Sequence, residues 1–346
     1  MSAKTIPIVV AAPDSRQRKR EAPKGRGVDL AALDEVRALL GSASRASDLL
    51  IEHLHRLQDH FGHLSARHLA ALAREMRLAQ TEVYEVATFY HHFDVVKEGD
   101  TPPQALTVRV CDGLSCEMAG AQDLLARLPN ILGKAVRVIA APCIGRCEQA
   151  PAVAVGQHPV AAATCEAVAA RVEAGDTTHR PEGFIDLTAY RAQGGYRLLG
   201  QCVGDERTVE SVLLEMEGSG LRGLGGAGFP AGRKWRIVRN EAAPRLMAVN
   251  IDEGEPGTFK DRVYLERDPH RFLEGMLIAA WAVGIARVYL YLRDEYHGCR
   301  AMLEGELARL RAEPPYPGMP GYGGVAARRA SSPSRRARQP WYSSRR

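Results

Sequence analysis

An α/β architecture with a helical N-terminal segment is predicted from three observations. Leucines and valines recur at helical spacing between residues 29 and 93. From 105 to 173, short apolar runs and helical periods follow the order strand–helix–strand–strand–helix, which suits a small sandwich of thioredoxin type. A second alternation of helices and strands occupies residues 206–312. At 346 residues, the chain has length for two domains that each bury a core.

The elements can be justified in order. Leu30, Leu33, Val36, Leu39 and Leu40 make the first helix, and Gly41 stops it. Ser47 and Asp48 open a second over Leu49–Phe61, closed by Gly62, and Ser65 opens a third over Ala66–Leu78. Thr81-Glu82 begins a fourth that runs to Phe93. The histidines of this segment, among them His53, His55, His68 and His92, show no convincing ligand spacing and are read as surface or core residues. Asp100-Thr-Pro-Pro103 marks a change of character. Strands are expected over Ala105–Cys111, Ala135–Ala140 and Pro151–Val155, and helices over Cys116–Leu128 and Thr164–Glu173. Gly175–Gly204 reads as a surface linker. Glu206–Glu217 is then helical, Gly218–Gly232 a glycine loop, and Lys234–Asn240 a short helix. Arg245–Ile251 is expected to be a buried strand and Asp252–Asp261 an acidic loop. The helix Pro269–Gly284, the strand Ala286–Leu292 and the helix Asp294–Ala312 complete the series.

Charge distribution limits the classes of function. The formal net charge is +5, but residues 1–28 hold seven Lys/Arg and residues 314–346 hold seven Arg with no acid. Without these ends the body is acidic, which argues against nucleic-acid binding through a folded basic surface. No apolar run approaches the roughly 18–20 residues of a membrane span, and Ile6–Ala12 is too short for a secretory core, so a soluble, cytoplasmic protein is expected. The division anticipated is a basic tail over 1–28, a helical segment over 29–100 and a thioredoxin-like domain over 101–174. The linker 175–204, a second α/β domain over 205–313 and an arginine–serine tail over 314–346 follow. Both tails lack the composition to bury a core. The C-terminal one is read either as a biological basic tail or as out-of-frame translation of GC-rich DNA.

Four of the seven cysteines form two close pairs, Cys111/Cys116 and Cys143/Cys147, each in a loop leaving a predicted strand. In a cytosolic chain such pairs point to metal or redox chemistry rather than to a disulfide framework. Four thiolates can hold a [2Fe–2S] cluster, two on each iron, and Gly113 and Gly145 let the backbone come close to the sulfurs. A structural zinc site is the alternative. Its usual two-residue gaps differ from the gaps of four and three residues found here. Cys165 is read as a core thiol.

The helices leading to Thr88-Phe-Tyr90, then Val110-Cys-Asp112 and Ala141-Pro-Cys-Ile-Gly-Arg-Cys147, resemble the thioredoxin-like [2Fe–2S] subunit of respiratory complex I. They are equally similar to its relatives in NAD-linked formate dehydrogenases and hydrogenases.

The glycine loop has seven glycines in the fifteen residues from Gly218 to Gly232. Gly223-Leu-Gly-Gly-Ala-Gly228 satisfies the dinucleotide G-x-G-x-x-G pattern, but the preceding segment, with Val209, Val212, Leu213 and Met216, is helical where a strand is required. Physically the loop is a set of unobstructed backbone N–H donors for a phosphate or a planar ring, with Lys234 as a point charge. The turn Asn250–Gly257 adds side-chain acceptors and an amide. A glycine-rich surface hairpin beside a solvated acidic turn is the plainer alternative.

Gly220–Trp235 and Asn250–Arg262 resemble the FMN/NADH-binding segments of the complex I flavoprotein family, and Tyr291–Tyr296 continues the likeness. That resemblance implies that Gly223, Gly225, Gly226, Ala227, Gly228, Lys234, Asn250, Asp252 and Glu253 contact FMN. It places Phe229 and Glu255 on the nicotinamide side. It makes Cys111, Cys116, Cys143 and Cys147 the [2Fe–2S] ligands. Hydride passes between the cofactors themselves, so no catalytic acid or base is expected. Fusion of the two modules, with Arg222–Ala227 and Asp268–Met276, looks most like the β subunit of NAD-dependent molybdenum- or tungsten-containing formate dehydrogenases. The flavin subunit of NAD-linked hydrogenase is the nearest competitor. The implied partners are NAD(H) and a formate dehydrogenase α subunit.

The family continues with a second glycine stretch around Cys-Gly-Glu-Glu and a cysteine cluster for a [4Fe–4S] centre, and this sequence has neither. The second domain therefore reads as an incomplete FMN/NAD-binding domain. Two expectations of different class result: an electron-transfer (diaphorase) subunit, or an inactive fragment that keeps only a [2Fe–2S] carrier domain.

Overall fold

The computed structural model describes residues 27–224 and 226–315. The expected tails 1–28 and 314–346 fall almost wholly outside the described residues, as does Gly225. The chain forms two compact units, one ending at Asp100 and the other starting at Thr101.

The first unit packs four helices, α1 (Leu30–Leu40), α2 (Leu50–Phe61), α3 (Ala66–Met76) and α4 (Gln80–Phe89). A parallel pair of two-residue strands, β1 (Leu64–Ser65) and β2 (Val95–Val96), joins them. Local chemistry sets the helix ends. Asp29 accepts from the N–H groups of Ala31 and Ala32, Ser65 caps α3, and Gly62 closes α2 at φ 74°. Leu33, Val36, Leu54, Leu57, Leu72 and Val83 fill the core. Two buried histidines are held by hydrogen bonds: His53 bonds the Ser44 carbonyl at 2.8 Å, and His68 meets Glu35 at 2.7 Å and Ser65 at 3.0 Å.

The second unit begins with a four-stranded sheet in the order β4-β3-β5-β6, where β3 is Leu106–Cys111, β4 Val136–Ala141, β5 Val153–Val155 and β6 His158–Val160. β3 and β4 run parallel and the other neighbours antiparallel. Short helix α5 (Leu114–Met118) and helix α6 (Ala121–Leu132) connect β3 to β4, and α7 (Cys165–Glu173) follows β6. Val108, Val110, Leu124, Leu128, Val153 and Val168 make its core, with Cys165 among them.

Residues 175–204 depart from the expected linker. They contain α8 (Leu187–Ala192) and α9 (Arg197–Val203), and Leu187, Tyr190, Tyr196, Leu199 and Cys202 are buried. The cause is a carboxylate inside the next domain. Glu274 accepts from the Tyr190 hydroxyl at 2.6 Å and from the N–H groups of Tyr196 and Leu199 at 2.9 and 3.1 Å. Beside it, Tyr196 and Glu306 meet the two ring nitrogens of fully buried His270 at 2.8 and 2.7 Å.

Beyond this strap come α10 (Val209–Gly218), α11 (Ala231–Arg239), β7 (Arg245–Ile251), α12 (Lys260–Arg267), α13 (Pro269–Val283), β8 (Ile285–Leu292) and α14 (His297–Ala312). β7 and β8 are parallel along their whole length. α12 replaces the end of the expected acidic loop. β7 is not the buried strand expected: Leu246, Ala248 and Asn250 alternate outward, and Leu246 is 57% exposed. Among the described residues β7 pairs only with β8, so one of its edges and one of its faces stay open.

Candidate iron–sulfur and flavin-binding site

Parallel pairing of β3 with β4 places Cys111 opposite Ala141, so the two cysteine loops leave the sheet side by side. Cys116 stands on α5, and Cys143 and Cys147 lie in the loop after β4. All four thiols are free; Cys111, Cys116 and Cys143 are buried and Cys147 is partly so. They form one continuous group. Cys143 Sγ is 3.4 Å from Cys147 Sγ, and Cys111 interacts with both Cys143 and Cys116.

Backbone donors converge on the sulfurs. The Ala152 N–H points at Cys116 Sγ (3.4 Å) and the Gly257 N–H at Cys147 Sγ (3.1 Å). The N–H groups of Gly113 and Ile144 serve Cys111, and that of Gly145 serves Cys143. The hydrogen bond with Cys143 holds the Cys111 thiol below its ordinary range, and Gly113 and Ile144 reinforce the effect. Cys143 is raised by Cys111 and by burial, and Cys147 is raised by burial. Four clustered thiols with N–H donors aimed at their sulfurs are what thiolate ligation of a small iron–sulfur cluster requires. Gly113 fits the same purpose, because a Cβ there would stand 3.4 Å from Cys111 Sγ.

Residues from the second domain close over this loop. Arg262, the largest fully buried side chain among the described residues, donates through Nε to the Gly145 carbonyl at 3.2 Å and pairs with Glu266 and Glu148. Arg293 donates to the carbonyls of Cys143 and Glu253, the latter at 2.6 Å. Gly145, at φ 73°, lies beneath the Tyr296 ring; a Cβ there would fall 2.5 Å from Tyr296 Cε1. Sequence reasoning missed this clamp. Arg262 and Arg293 occur inside segments matched by resemblance, but nothing in their spacing shows that they are buried or that they reach the cysteine loop.

The glycine loop folds back on itself as a hairpin. Gly223 N–H bonds the Phe229 carbonyl at 2.9 Å and Ala231 N–H the Leu221 carbonyl at 2.8 Å, with Arg222 reaching the Gly228 carbonyl at 3.0 Å. Gly226 and Gly228 take positive φ at the tip. Ala227 is exposed there, Phe229 lies under the Arg233 guanidinium at 5.9 Å, and Lys234 is exposed in the first turn of α11. Gly232 has a packing purpose instead: a Cβ would strike the α10 backbone at Glu217, 2.5 Å away.

The acidic turn divides its side chains. Asn250 accepts from the Asp252 N–H at 3.0 Å at the end of β7, and Glu255 is exposed. Glu253 points inward at φ 44°, where it accepts from the N–H groups of Asp261 and Arg262 at 2.9 and 3.2 Å and from the Tyr296 hydroxyl at 2.8 Å. Its carboxylate caps α12, and its backbone carbonyl accepts from Arg293.

Burial pushes the Glu253 carboxyl upward, but the Asp261 N–H, the Tyr296 hydroxyl, the Arg262 N–H and Lys260 outweigh it, and the group lies below its ordinary 4.5. The folded state therefore binds this proton less tightly than the unfolded chain, so the stabilisation is complete above about pH 4.5 and is lost as pH falls through the lowered folded value. Urea midpoints measured against pH are expected to show a constant gap between the wild-type chain and Glu253→Gln at neutral pH. That gap should narrow below about pH 4.5; a pH-independent gap would refute this account.

Fold and site together define a class: a thioredoxin-like [2Fe–2S] domain joined to an FMN-binding domain, the latter of the type found in the 51-kDa flavoprotein of complex I. Residues 36–175 match the family model described as thioredoxin-like [2Fe–2S] ferredoxin, and residues 216–322 the one described as Nuo51 FMN-binding domain. The chain is 31% identical to the NAD-reducing hydrogenase HoxS subunit alpha of Cupriavidus necator, over 76% of this chain and 48% of that protein. It is 50% identical to an NADH-quinone oxidoreductase subunit of Rhizobium meliloti, over 34% of this chain and 27% of that protein. A crystal structure of NAD+-reducing [NiFe]-hydrogenase in the air-oxidized state matches with a TM-score of 0.63 and 29% identity, over 78% of this chain and 50% of that one. The chain thus spans about half, or less, of the length of these relatives. Among the described residues no helix is long and apolar enough to cross a membrane.

Proposed function

We propose that this chain is the NAD(H)-handling electron-transfer part of a larger oxidoreductase, exchanging hydride between NAD(H) and FMN and passing single electrons to a [2Fe–2S] cluster on Cys111, Cys116, Cys143 and Cys147. One observation carries the reading: the acidic turn of the flavin-binding domain touches the cysteine group directly, through the Gly257 N–H on Cys147 Sγ. When bound, FMN accepts hydride from NADH and releases the two electrons singly.

The protein's own groups bind and orient. Backbone N–H groups of the hairpin tip at Gly226, Ala227 and Gly228, with Lys234, suit the flavin phosphate, while the Gly223 N–H closes the hairpin on the Phe229 carbonyl. Asn250 and Asp252 offer polar atoms to its ribityl or ring, and Arg293 ties the Glu253 carbonyl beside them to that of Cys143. Phe229 and Glu255, both exposed, suit the nicotinamide side. Gly225 lies outside the described residues.

For the partner enzyme, Arg222–Ala227 and Asp268–Met276 support a molybdenum- or tungsten-containing formate dehydrogenase α subunit. Likeness to NAD-reducing hydrogenase over three-quarters of the chain supports a hydrogenase as the second reading. The test is anaerobic purification, a visible spectrum, and NADH oxidation with ferricyanide in the presence of added FMN. The incomplete pocket leads us to expect weak FMN binding; retained flavin with NADH-dependent reduction is the result that supports the diaphorase reading. A chain that carries the iron–sulfur spectrum but never accepts hydride would overturn the diaphorase reading and leave an electron-carrier domain. NAD+ reduction by formate or by hydrogen in the co-purified complex decides between the partners.

A further inference from the structure

We infer that Arg293 is a positioning residue that sets the midpoint potential of the cysteine-bound cluster and holds the flavin-side turn in register with it. The inference rests on the [2Fe–2S] reading above and adds a role to a residue outside the ligand set.

Arg293 is 7% exposed and lies immediately after β8. Its guanidinium has three separate anchors. One Nη donates to the carbonyl of Cys143, a cluster-ligand candidate, and the other to the carbonyl of Glu253 in the acidic turn. Nε pairs with Glu295 at 2.9 Å, and the cation stands 5.7 Å from the centre of the Tyr296 ring. The turn also reaches the cysteine group through the Gly257 N–H on Cys147 Sγ, so Arg293 fixes the spacing of two elements already in contact.

The electrostatic consequence has a definite sign. Adding one electron to a four-thiolate [2Fe–2S] centre, from reduced flavin or from dithionite, converts one ferric iron to ferrous and adds one negative charge with no bond made or broken. A buried cation bonded to the carbonyl of a ligand residue stabilises that added charge, because low-dielectric surroundings screen it poorly. Arg293 therefore raises the potential. Glu295 works against it from the half-exposed side, with 39% of its side chain accessible.

The test is a redox titration of the full chain, followed by the low-temperature electron paramagnetic resonance signal of the reduced cluster. Arg293→Gln is expected to shift the midpoint to more negative values at unchanged iron content, Arg293→Lys to shift it less, and Glu295→Gln to shift it the opposite way. A loaded Arg293→Gln protein with the wild-type midpoint overturns the inference. Where Arg293→Gln fails to fold, Glu295→Gln decides on its own, since its carboxylate is partly in solvent, and an unmoved midpoint overturns the inference equally. Absence of any cluster signal in the unsubstituted chain refutes the ligand reading and the inference with it. A cluster whose potential ignores both variants refutes only the role of Arg293.

Discussion

Replacing Cys143 by serine is expected to abolish the visible absorbance of the iron–sulfur centre while the flavin-binding hairpin keeps its fold. Cys143 joins the two cysteine pairs, in contact with both Cys111 and Cys147 and served by the Gly145 N–H. An alkoxide is a harder ligand than a thiolate, and serine would also lose the sulfur that bridges the two cysteine pairs. The hairpin at Leu221–Ala231 is closed by its own backbone hydrogen bonds, so it has no need of the cluster. Iron and sulfide analysis with the visible spectrum checks the first half, and FMN retention checks the second. A wild-type spectrum in the variant would remove Cys143 from the ligand set.

Glu274→Ala is expected to be the most destabilising substitution outside the cluster. One carboxylate accepts from the Tyr190 hydroxyl and from two backbone N–H groups, and all of these donors are buried. Alanine would leave three donors without an acceptor. At about 1–3 kcal/mol each, the total is on the order of 3–6 kcal/mol after partial relaxation. For a domain of this size that corresponds to a fall in Tm of roughly 6–24 °C. Glu274→Gln keeps the shape and one acceptor oxygen and should lose less. Differential scanning fluorimetry distinguishes them, and equal, small losses for both would mean that water replaces the carboxylate.

The same network shows why the strap from 175 to 204 is not legible in the sequence. It has the glycines and polar residues of a linker, and the signal that matters lies some 75 residues further on, in a glutamate on an apolar helix. Elements governed by local rules are plain. The helix that starts at Leu30 and stops at Gly41, the strand ending in Cys111 and the apolar helix after Pro269 all follow from caps and periodicity. The cysteine pairs are legible because ligand type and spacing are written in the sequence itself. Glu253 is legible as an acid of a polar turn but not in its employment, since only the tertiary structure shows its carboxylate turned toward α12 and Tyr296. β7 reads as buried because an apolar run records what a strand can pack against, not whether both of its edges are covered.

The grip of Arg262 and Arg293 on the cysteine loop also governs which ferredoxin domains could be exchanged into this chain. A transplanted domain would need a residue without a Cβ beneath Tyr296, a carboxylate in the place of Glu148, and loop carbonyls presented as those of Cys143 and Gly145 are. A domain with four cysteines at the same spacing but a bulkier loop would leave unmade the bonds of Arg262 to Gly145 and Glu148 and that of Arg293 to Cys143, each from a buried guanidinium. Modularity here ends at the loop: the two domains can be separated in sequence at the strap, yet they must be matched atom by atom around the sulfurs.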